Sequence, residues 1–239
     1  MSEAGPPPLA FEAVPLGALA LASAVRRASD PAALFSLQVA AHETVVLLGD
    51  ETSGVDRLGA LALGLDTTPG AGRALVFGTE IAALSRVRQL AFRRRIGYLP
   101  AGDGLLQNLS LRDNIRLPLR FGSDFHSDEI EGRVNVILAQ LRLKAVASLR
   151  PAAATEEERR RAALGRALAF DPELVVLEQP FDGLPERTAA ELLEVARGGE
   201  VAEGGRRALF ITGQALPALL RPRVERLLRV GALAELART

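Results

Sequence analysis

The sequence predicts an α/β fold built on a mainly parallel sheet, and three observations carry that expectation. Thr44–Leu48 and residues 174–177 are short, continuous apolar runs, the composition of strands buried on both faces. Each ends in a polar turn marked by glycine or proline, Gly49 to Gly54 in one case and Glu178-Gln179-Pro180 in the other. Helical patterns then alternate with further strand patterns along most of the chain, the order that lays helices on a parallel sheet.

Taken in order, the opening MSEAGPPPLA lacks the basic and apolar regions of a signal peptide. Residues 1–8 are expected to form a disordered lead-in, and residues 9–239 a single domain. Residues 9–39 give the weakest pattern, although 35–39 alternate like a half-buried strand. Residues 40–43 form a turn before Thr44–Leu48. Residues 57–65 predict a helix with Leu58, Leu61, Ala62 and Leu65 on one face. A turn cluster at 67–72 precedes a strand at 74–78. A basic helix covers 84–94, and a strand at 96–100 ends in proline. Residues 127–141 are an amphipathic helix presenting Ile130, Val134, Ile137, Leu138 and Leu141. A charged helical start at Glu156 to Arg161 leads into an alanine- and leucine-rich stretch, which Phe170-Asp171-Pro172 breaks. A helix at 186–197, a loop at 198–205, a strand at 207–212 and a strand at 224–230 before Gly231 complete the pattern.

Composition narrows the function classes. The 239 residues are 48% hydrophobic, enough for one sizeable core. A formal net charge of +0 gives no basis for bulk nucleic-acid binding, so no nucleic-acid partner is expected. The absence of cysteine excludes disulfides and thiolate metal sites. The two histidines, His42 and His126, are too far apart in sequence to suggest an imidazole metal site, and Lys144 is the only lysine. No apolar run approaches the ~20 residues that span a bilayer. A cytoplasmic protein that reaches the membrane through a partner is expected.

Two blocks resemble a known family. The stretch from Ala152 to Glu186 has the order found in ABC-transporter ATPases from the signature motif LSGGQ to the Walker B strand and D-loop. Residues 96–119, with Ala101-Gly102-Asp103-Gly104-Leu105-Leu106-Gln107-Asn108-Leu109-Ser110 at their centre, resemble the segment around and after the Q-loop. The resemblance covers residues 34–233 and is most like the ATPases of lipid-trafficking MCE-type importers. It implies a P-loop NTPase-like ABC ATPase fold with an antiparallel N-terminal β part and a helical subdomain at about 103–165.

The positions that carry chemistry in that family are occupied by other residue types here. The P-loop pattern G-x-x-x-x-G-K-[ST] cradles phosphates with its amides, lysine and hydroxyl. Gly49 and Gly54 keep the glycine spacing, but Val55 stands for the lysine and Asp56 for the hydroxyl. Asp50, Glu51 and Asp56 add negative charge. Like charges ~4 Å apart cost about 4 kcal/mol at an effective dielectric near 20, roughly a thousandfold in affinity. The residues leave two readings open: a strand-to-helix turn with solvated acids, and a weak nucleotide site. Glu178 and Gln179 replace the Walker B Asp-Glu pair, and an amide has no basicity with which to activate water. Thr155, Glu156 and Glu157 replace the signature's Ser-Gly-Gly, with bulk where glycine permits close approach. Thr155 to Glu158 also reads as a helix capping box. Ala101 replaces the Q-loop glutamine, Pro185 the D-loop aspartate and Gly213 the H-loop histidine. No aromatic lies between Ala13 and Leu34 to stack on adenine.

The resemblance therefore implies a degenerate subunit that needs no cofactor and binds ATP and Mg only weakly. Its expected partners are a transmembrane permease and a second ATPase-type chain, as a homodimer or as a heterodimer with an intact ABC ATPase. Leu105, Leu106, Leu109, Ile115, Leu117 and Leu119 are either core or a docking surface for the permease. Two other readings stay open: a low-activity ATPase rescued in a heterodimer, and a soluble interaction protein with no membrane partner.

Overall fold

The computed structural model describes residues 5–16, 34–50, 53–66, 72–198 and 206–230. The Glu51 charge, most of the turn at 67–72, most of the loop at 198–205, Gly231 and most of the segment without aromatics before Leu34 lie outside them.

Two sheets form. Strands β1 (Leu9–Pro15), β2 (Leu34–Val39) and β4 (Arg73–Val76) make an antiparallel sheet in the order β2-β1-β4. Strands β3 (Thr44–Leu48), β5 (Ile96–Leu99), β6 (Leu174–Glu178), β7 (Ala208–Gly213) and β8 (Arg226–Arg229) make a parallel sheet in the order β5-β6-β7-β3-β8. Successive side chains of a strand face opposite ways, so one run of apolar residues serves two cores. Val45, Leu47, Leu174, Val176 and Phe210 pack toward the antiparallel sheet. Val46, Leu48, Val175, Leu177, Leu209 and Ile211 pack toward the helices. Phe11 bridges the two sheets, with its ring centroid 5.5 Å from that of Phe210 and 6.0 Å from that of Phe35.

The helices are α1 (Leu58–Ala62), α2 (Arg86–Arg93), α3 (Leu111–Gly122), α4 (Ser127–Gln140), α5 (Glu156–Ala167) and α6 (Glu186–Arg197). Helices α3, α4 and α5 close on one another through Ile115, Val134, Ile137, Leu141 and Leu164. Gly165 permits the approach: a Cβ there would lie 2.9 Å from Ile137 and Leu141 side-chain atoms.

Two expectations need correction, and one strand went unread. The helix expected at 57–65 is a 3-10 turn, Val55–Arg57, followed by the five residues of α1. Gly64, at φ +61°, stops it: its N–H donates to the Leu61 carbonyl and the Leu65 N–H to that of Ala60, the paired bonds of a Schellman motif. Leu58, Leu61 and Ala62 are buried as expected, but Leu65 lies beyond the stop and is exposed. Strand β1 escaped the pattern because Ala13, at φ 49°, shifts its register against β2 and breaks the alternation. Within the lead-in expected at 1–8, Pro6 and Pro8 are packed: the Pro8 carbonyl accepts from the Phe77 N–H at 3.1 Å, and the Pro6 ring abuts Gly78.

The loop before α3 is fixed by Asn114, which is fully buried. Its Oδ1 accepts from the Leu106 N–H at 2.8 Å, and its Nδ2 donates to the carbonyls of Leu106 at 3.1 Å and Ser110 at 2.9 Å. Leu105, Ile115 and Leu119 are core, whereas Leu106 is 44% exposed and Leu109 and Leu117 are half-buried. Asn114→Ala leaves these backbone groups unsatisfied, so a loss of about 2–3 kcal/mol is expected in urea unfolding. A midpoint unchanged from wild type would show that the loop is held by other contacts.

Candidate functional site

The carboxyl ends of parallel strands are where an α/β sheet receives ligands. Here those ends are stitched together. The Gly49 N–H donates to the Gly213 carbonyl at 2.9 Å, and the Gln179 N–H to the Thr212 carbonyl at 2.8 Å. They frame a cavity of about 150 Å³ lined by Gly49, Asp50, Val55, Asp56, Ala101, Glu178, Gln179, Thr212, Gly213 and Gln214. Positions 49, 55, 56, 101, 178, 179 and 213, spread over most of the sequence, are thus brought to one place. Gly54 does not line the cavity; it is buried in the left-handed conformation, at φ 75° and ψ 7°, and starts the 3-10 turn.

The turn after β3 closes on itself. The Ser53 hydroxyl donates to the Asp50 carbonyl at 2.5 Å and accepts from the Val55 N–H at 3.3 Å. The Ser53 N–H also donates to the Asp50 carbonyl. Two amides of the loop are therefore satisfied internally. A Cβ on Gly49 would lie 2.4 Å from Ser53 Oγ and 2.8 Å from Val55 Cγ2, so these side chains fill the concavity above Gly49. Val55 is 2% exposed and joins the core with Leu58 and Leu61. The cavity lining contains three carboxylates, Asp50, Asp56 and Glu178, and no lysine or arginine. A magnesium-nucleotide triphosphate needs free amides, a cation and room for phosphate oxygens; these residues do not fit it. Among the described residues, no group of three or more His, Asp or Glu side chains is placed to hold a metal ion.

Glu178 is 6% exposed. Its Oε2 accepts from the Ala101 N–H at 3.1 Å, so the residue at the family's magnesium-orienting position instead holds the loop after β5. Its Oε1 is buried without a hydrogen-bond partner among the described residues and faces Gly59, where a Cβ would come within 2.2 Å. Burial pushes the Glu178 carboxyl up from its ordinary range; the Ala101 amide and Tyr98 oppose that shift and the Asp56 charge adds to it. The Tyr98 phenol is pushed up as well, by burial and then by Glu178. The Gln179 side chain is half-buried on the lining, with its backbone at φ 48°.

Thr155, Glu156 and Glu157 lie apart from this cavity, at the start of α5. The capping box forms as read: Thr155 Oγ1 accepts from the Glu158 N–H at 3.2 Å, and Glu158 Oε2 from the Thr155 N–H at 2.8 Å. Glu157 accepts from Arg161 Nε at 2.9 Å and from the Thr188 hydroxyl at 3.2 Å, while Arg161 also donates to Glu191 at 3.0 Å. The Glu156 carboxylate rests against Gly183, where a Cβ would lie 2.8 Å from its Oε1.

Sequence reasoning missed the arginines of α5. Arg160 is buried and donates to the carbonyls of Gly102 and, at 3.3 Å, Gln179. Arg159 pairs with Asp103 at 3.2 Å, and Arg166 donates to the Gly104 carbonyl at 2.6 Å. The triplet Arg159-Arg160-Arg161 was the signal, but in sequence it is only part of a charged helical start, because Asp103, Gly102 and Gln179, which Arg159 and Arg160 hold, lie far away in sequence.

Glu178 generates a pH prediction with a definite sign. Its folded-state pKa is raised, so the folded chain holds the proton more tightly than the unfolded chain. Its contribution is then most favourable in acid and declines as pH rises from the ordinary carboxyl range toward the raised value. Glu178→Gln, which keeps an acceptor for the Ala101 amide, is expected to raise the urea midpoint near neutral pH more than in mild acid. Equal shifts at both pH values would show that Glu178 is ionised throughout.

A family profile described as ABC transporter matches residues 34–182. The lipoprotein-releasing system ATP-binding protein LolD of Chromohalobacter salexigens is 32% identical over 163 residues, 68% of this chain and 68% of that protein. The intermembrane phospholipid transport system ATP-binding protein MlaF of Escherichia coli K12 is 30% identical over 161 residues, 67% of this chain and 59% of that protein. The methionine import ATP-binding protein MetN 2 of Pseudomonas aeruginosa is 30% identical over 159 residues, 66% of this chain; the match spans about half of that relative, 47%. Among solved structures, a dimeric ATP-binding cassette in a post-hydrolysis state bound to ADP and Pi superposes with a TM-score of 0.76 at 20% identity, covering 93% of this chain and 94% of that one. CbiO1 of Clostridium perfringens, part of an ABC transporter complex, gives 0.72 at 18% identity, covering 94% and 84%. With more than half of its length matched by the family profile, and with the fold of an ATP-binding cassette, the chain belongs to the ABC transporter family.

Proposed function

We propose that this chain is a structural or regulatory pseudo-ATPase, a subunit that docks on a transmembrane permease without running a nucleotide cycle of its own. One observation carries the reading: Ser53 and Val55 fill the space above Gly49, and the remaining cavity is lined by carboxylates. Gln179 adds the loss of a base beside it. The proposed cargo is a lipid or another solute. LolD and MlaF are named for lipoprotein release and phospholipid transport, and MetN 2 for methionine import, so the relatives support transport more firmly than any one substance.

Residues 103–165 would serve as the helical subdomain that meets the permease. Leu106, Leu109 and Leu117 keep apolar surface outside the core, and Asn114 holds the loop that carries the first two. Such a preformed surface lowers the ordering cost of association. Among the described residues no helix is long and apolar enough to cross a membrane, so in this reading membrane attachment on the cytoplasmic side comes through contacts. In a family-type sandwich, each ATP site combines one chain's P-loop with the other's signature. Two copies of this chain would build no working site, and an intact ATPase partner would leave each site with one altered half.

The test is titration of the purified chain with a fluorescent ATP analogue and Mg²⁺. No saturation is expected in the micromolar range, because like-charge repulsion alone weakens binding by about a thousandfold. Micromolar saturation would overturn the proposal. The double variant Val55→Lys with Asp56→Ser is expected to release no phosphate above background, since Gln179 and Gly213 remain. Measurable turnover would show that the P-loop changes alone silence the site.

A further inference from the structure

Helix α2 buries none of its residues. Val87 and Leu90, three apart and so on neighbouring parts of one helix face, are 78% and 58% exposed. From Ile81 to Gly102 the chain carries five arginines, at 86, 88, 93, 94 and 95, and no aspartate or glutamate. Two of the five already have polar partners. Arg93 donates to the Leu63 and Gly64 carbonyls at 2.9 and 3.2 Å, and Arg95 pairs with Glu173 at 2.6 Å. Arg86 and Arg88 are exposed and have no hydrogen bond or ion pair among the described residues.

The surface continues past the end of α2. The Arg94 guanidinium lies 6.0 Å from the Phe170 ring centroid, and that ring abuts Gly122 at the end of α3. The preceding residue, Phe121, is 75% exposed, with the Arg120 guanidinium 5.4 Å from its ring centroid. The Phe170 ring thus lies near the end of each helix, beside Arg94 after α2 and Gly122 at the end of α3.

We propose that α2, together with the end of α3, is an interfacial contact for anionic lipid headgroups. The charge complementarity is direct: Arg86, Arg88 and Arg94 make no ion pair among the described residues, and their charge attracts an anionic surface, which repels acid-rich regions of the same protein. The apolar side chains choose among anions. Free phosphate would engage the arginines and leave Val87, Leu90 and Phe121 in water, whereas a lipid interface takes both chemistries at once. Eight residues of helix reach about 12 Å, enough to lie along an interface and too short to cross one. This inference is independent of whether the cavity binds nucleotide.

Vesicle co-sedimentation of the full chain tests it, using phosphatidylcholine alone and an equal mixture with phosphatidylglycerol. Binding is expected on the anionic vesicles, little on the neutral ones, and weakening as salt rises. Glycerol phosphate in solution is expected to compete poorly. Arg86→Ser with Arg88→Ser should lower partition onto anionic vesicles by about thirtyfold, taking about 1 kcal/mol per arginine. Val87→Ser with Leu90→Ser should also lower it, and circular dichroism and the urea midpoint should stay at wild-type values because all four residues are exposed. Wild-type chain that ignores both vesicle types, as expected if a protein occupies this surface, overturns the proposal. So does equal binding to neutral and anionic vesicles, and so does either folded variant that binds as wild type.

Discussion

The closure of Ser53 over Gly49 is the contact on which the character of the site depends. Strand β3 lies inside the parallel sheet, between β7 and β8, so the chain leaving it must turn at the rim formed by the neighbouring strand ends. In an ATP-binding cassette that turn wraps around phosphate. Here it wraps around the Ser53 hydroxyl, bonded to the Asp50 carbonyl and the Val55 amide, and around the Val55 side chain. A hydroxyl satisfies two loop groups with neutral hydrogen bonds and asks for no cation. Val55, at the lysine position, joins the core beneath.

Charge follows from the same closure. A phosphate site must balance several negative charges and cannot tolerate carboxylates among its donors. Once the concavity is filled by the chain itself, Asp56 meets water and Glu178 turns inward, where its Oε2 holds the Ala101 amide. Glu178 therefore links the strand end to the loop after β5 as a structural acceptor. The cost appears at Oε1, which stays buried and unpaired among the described residues. Burial accordingly pushes the Glu178 carboxyl up from its ordinary range, against the Ala101 amide and Tyr98, which favour the charged form.

The fold was legible wherever its determinants are local. Thr44–Leu48 and residues 174–177 read as buried strands because both faces of each are covered, and the structure uses both faces. The Thr155 cap was legible because donor and acceptor sit three residues apart. Strand β1 was not, since a bulge at Ala13 erased the period of two. The long helix at 57–65 was overestimated, because the apolar spacing runs on to Leu65 whereas Gly64 ends the helix in the left-handed conformation. For the site, spacing relative to a known framework placed seven positions around one cavity. It could not show that Ser53 fills the cradle, because serine between two glycines carries no sign of which way its hydroxyl turns. Nor could it show Arg160 reaching Gly102 and Gln179, contacts that exist only once α5 is laid against the strand ends.

Those long-range contacts also hold together the segments that border the cavity. Arg160 ties α5 to the loop after β5 and to the residue after β6, the two segments that border the cavity. Arg161 gathers Glu157 and Glu191, so an acid at the signature becomes a strut between α5 and α6. Hydrogen bonds to charged donors contribute about 1.5–3 kcal/mol each when well formed, and they add most where the donor is buried. Acid and arginine thus act together as internal ties where α5 meets α6 and the strand ends. Glycine at position 157 would remove the carboxylate that both Arg161 and Thr188 hold, and so loosen α5 from α6.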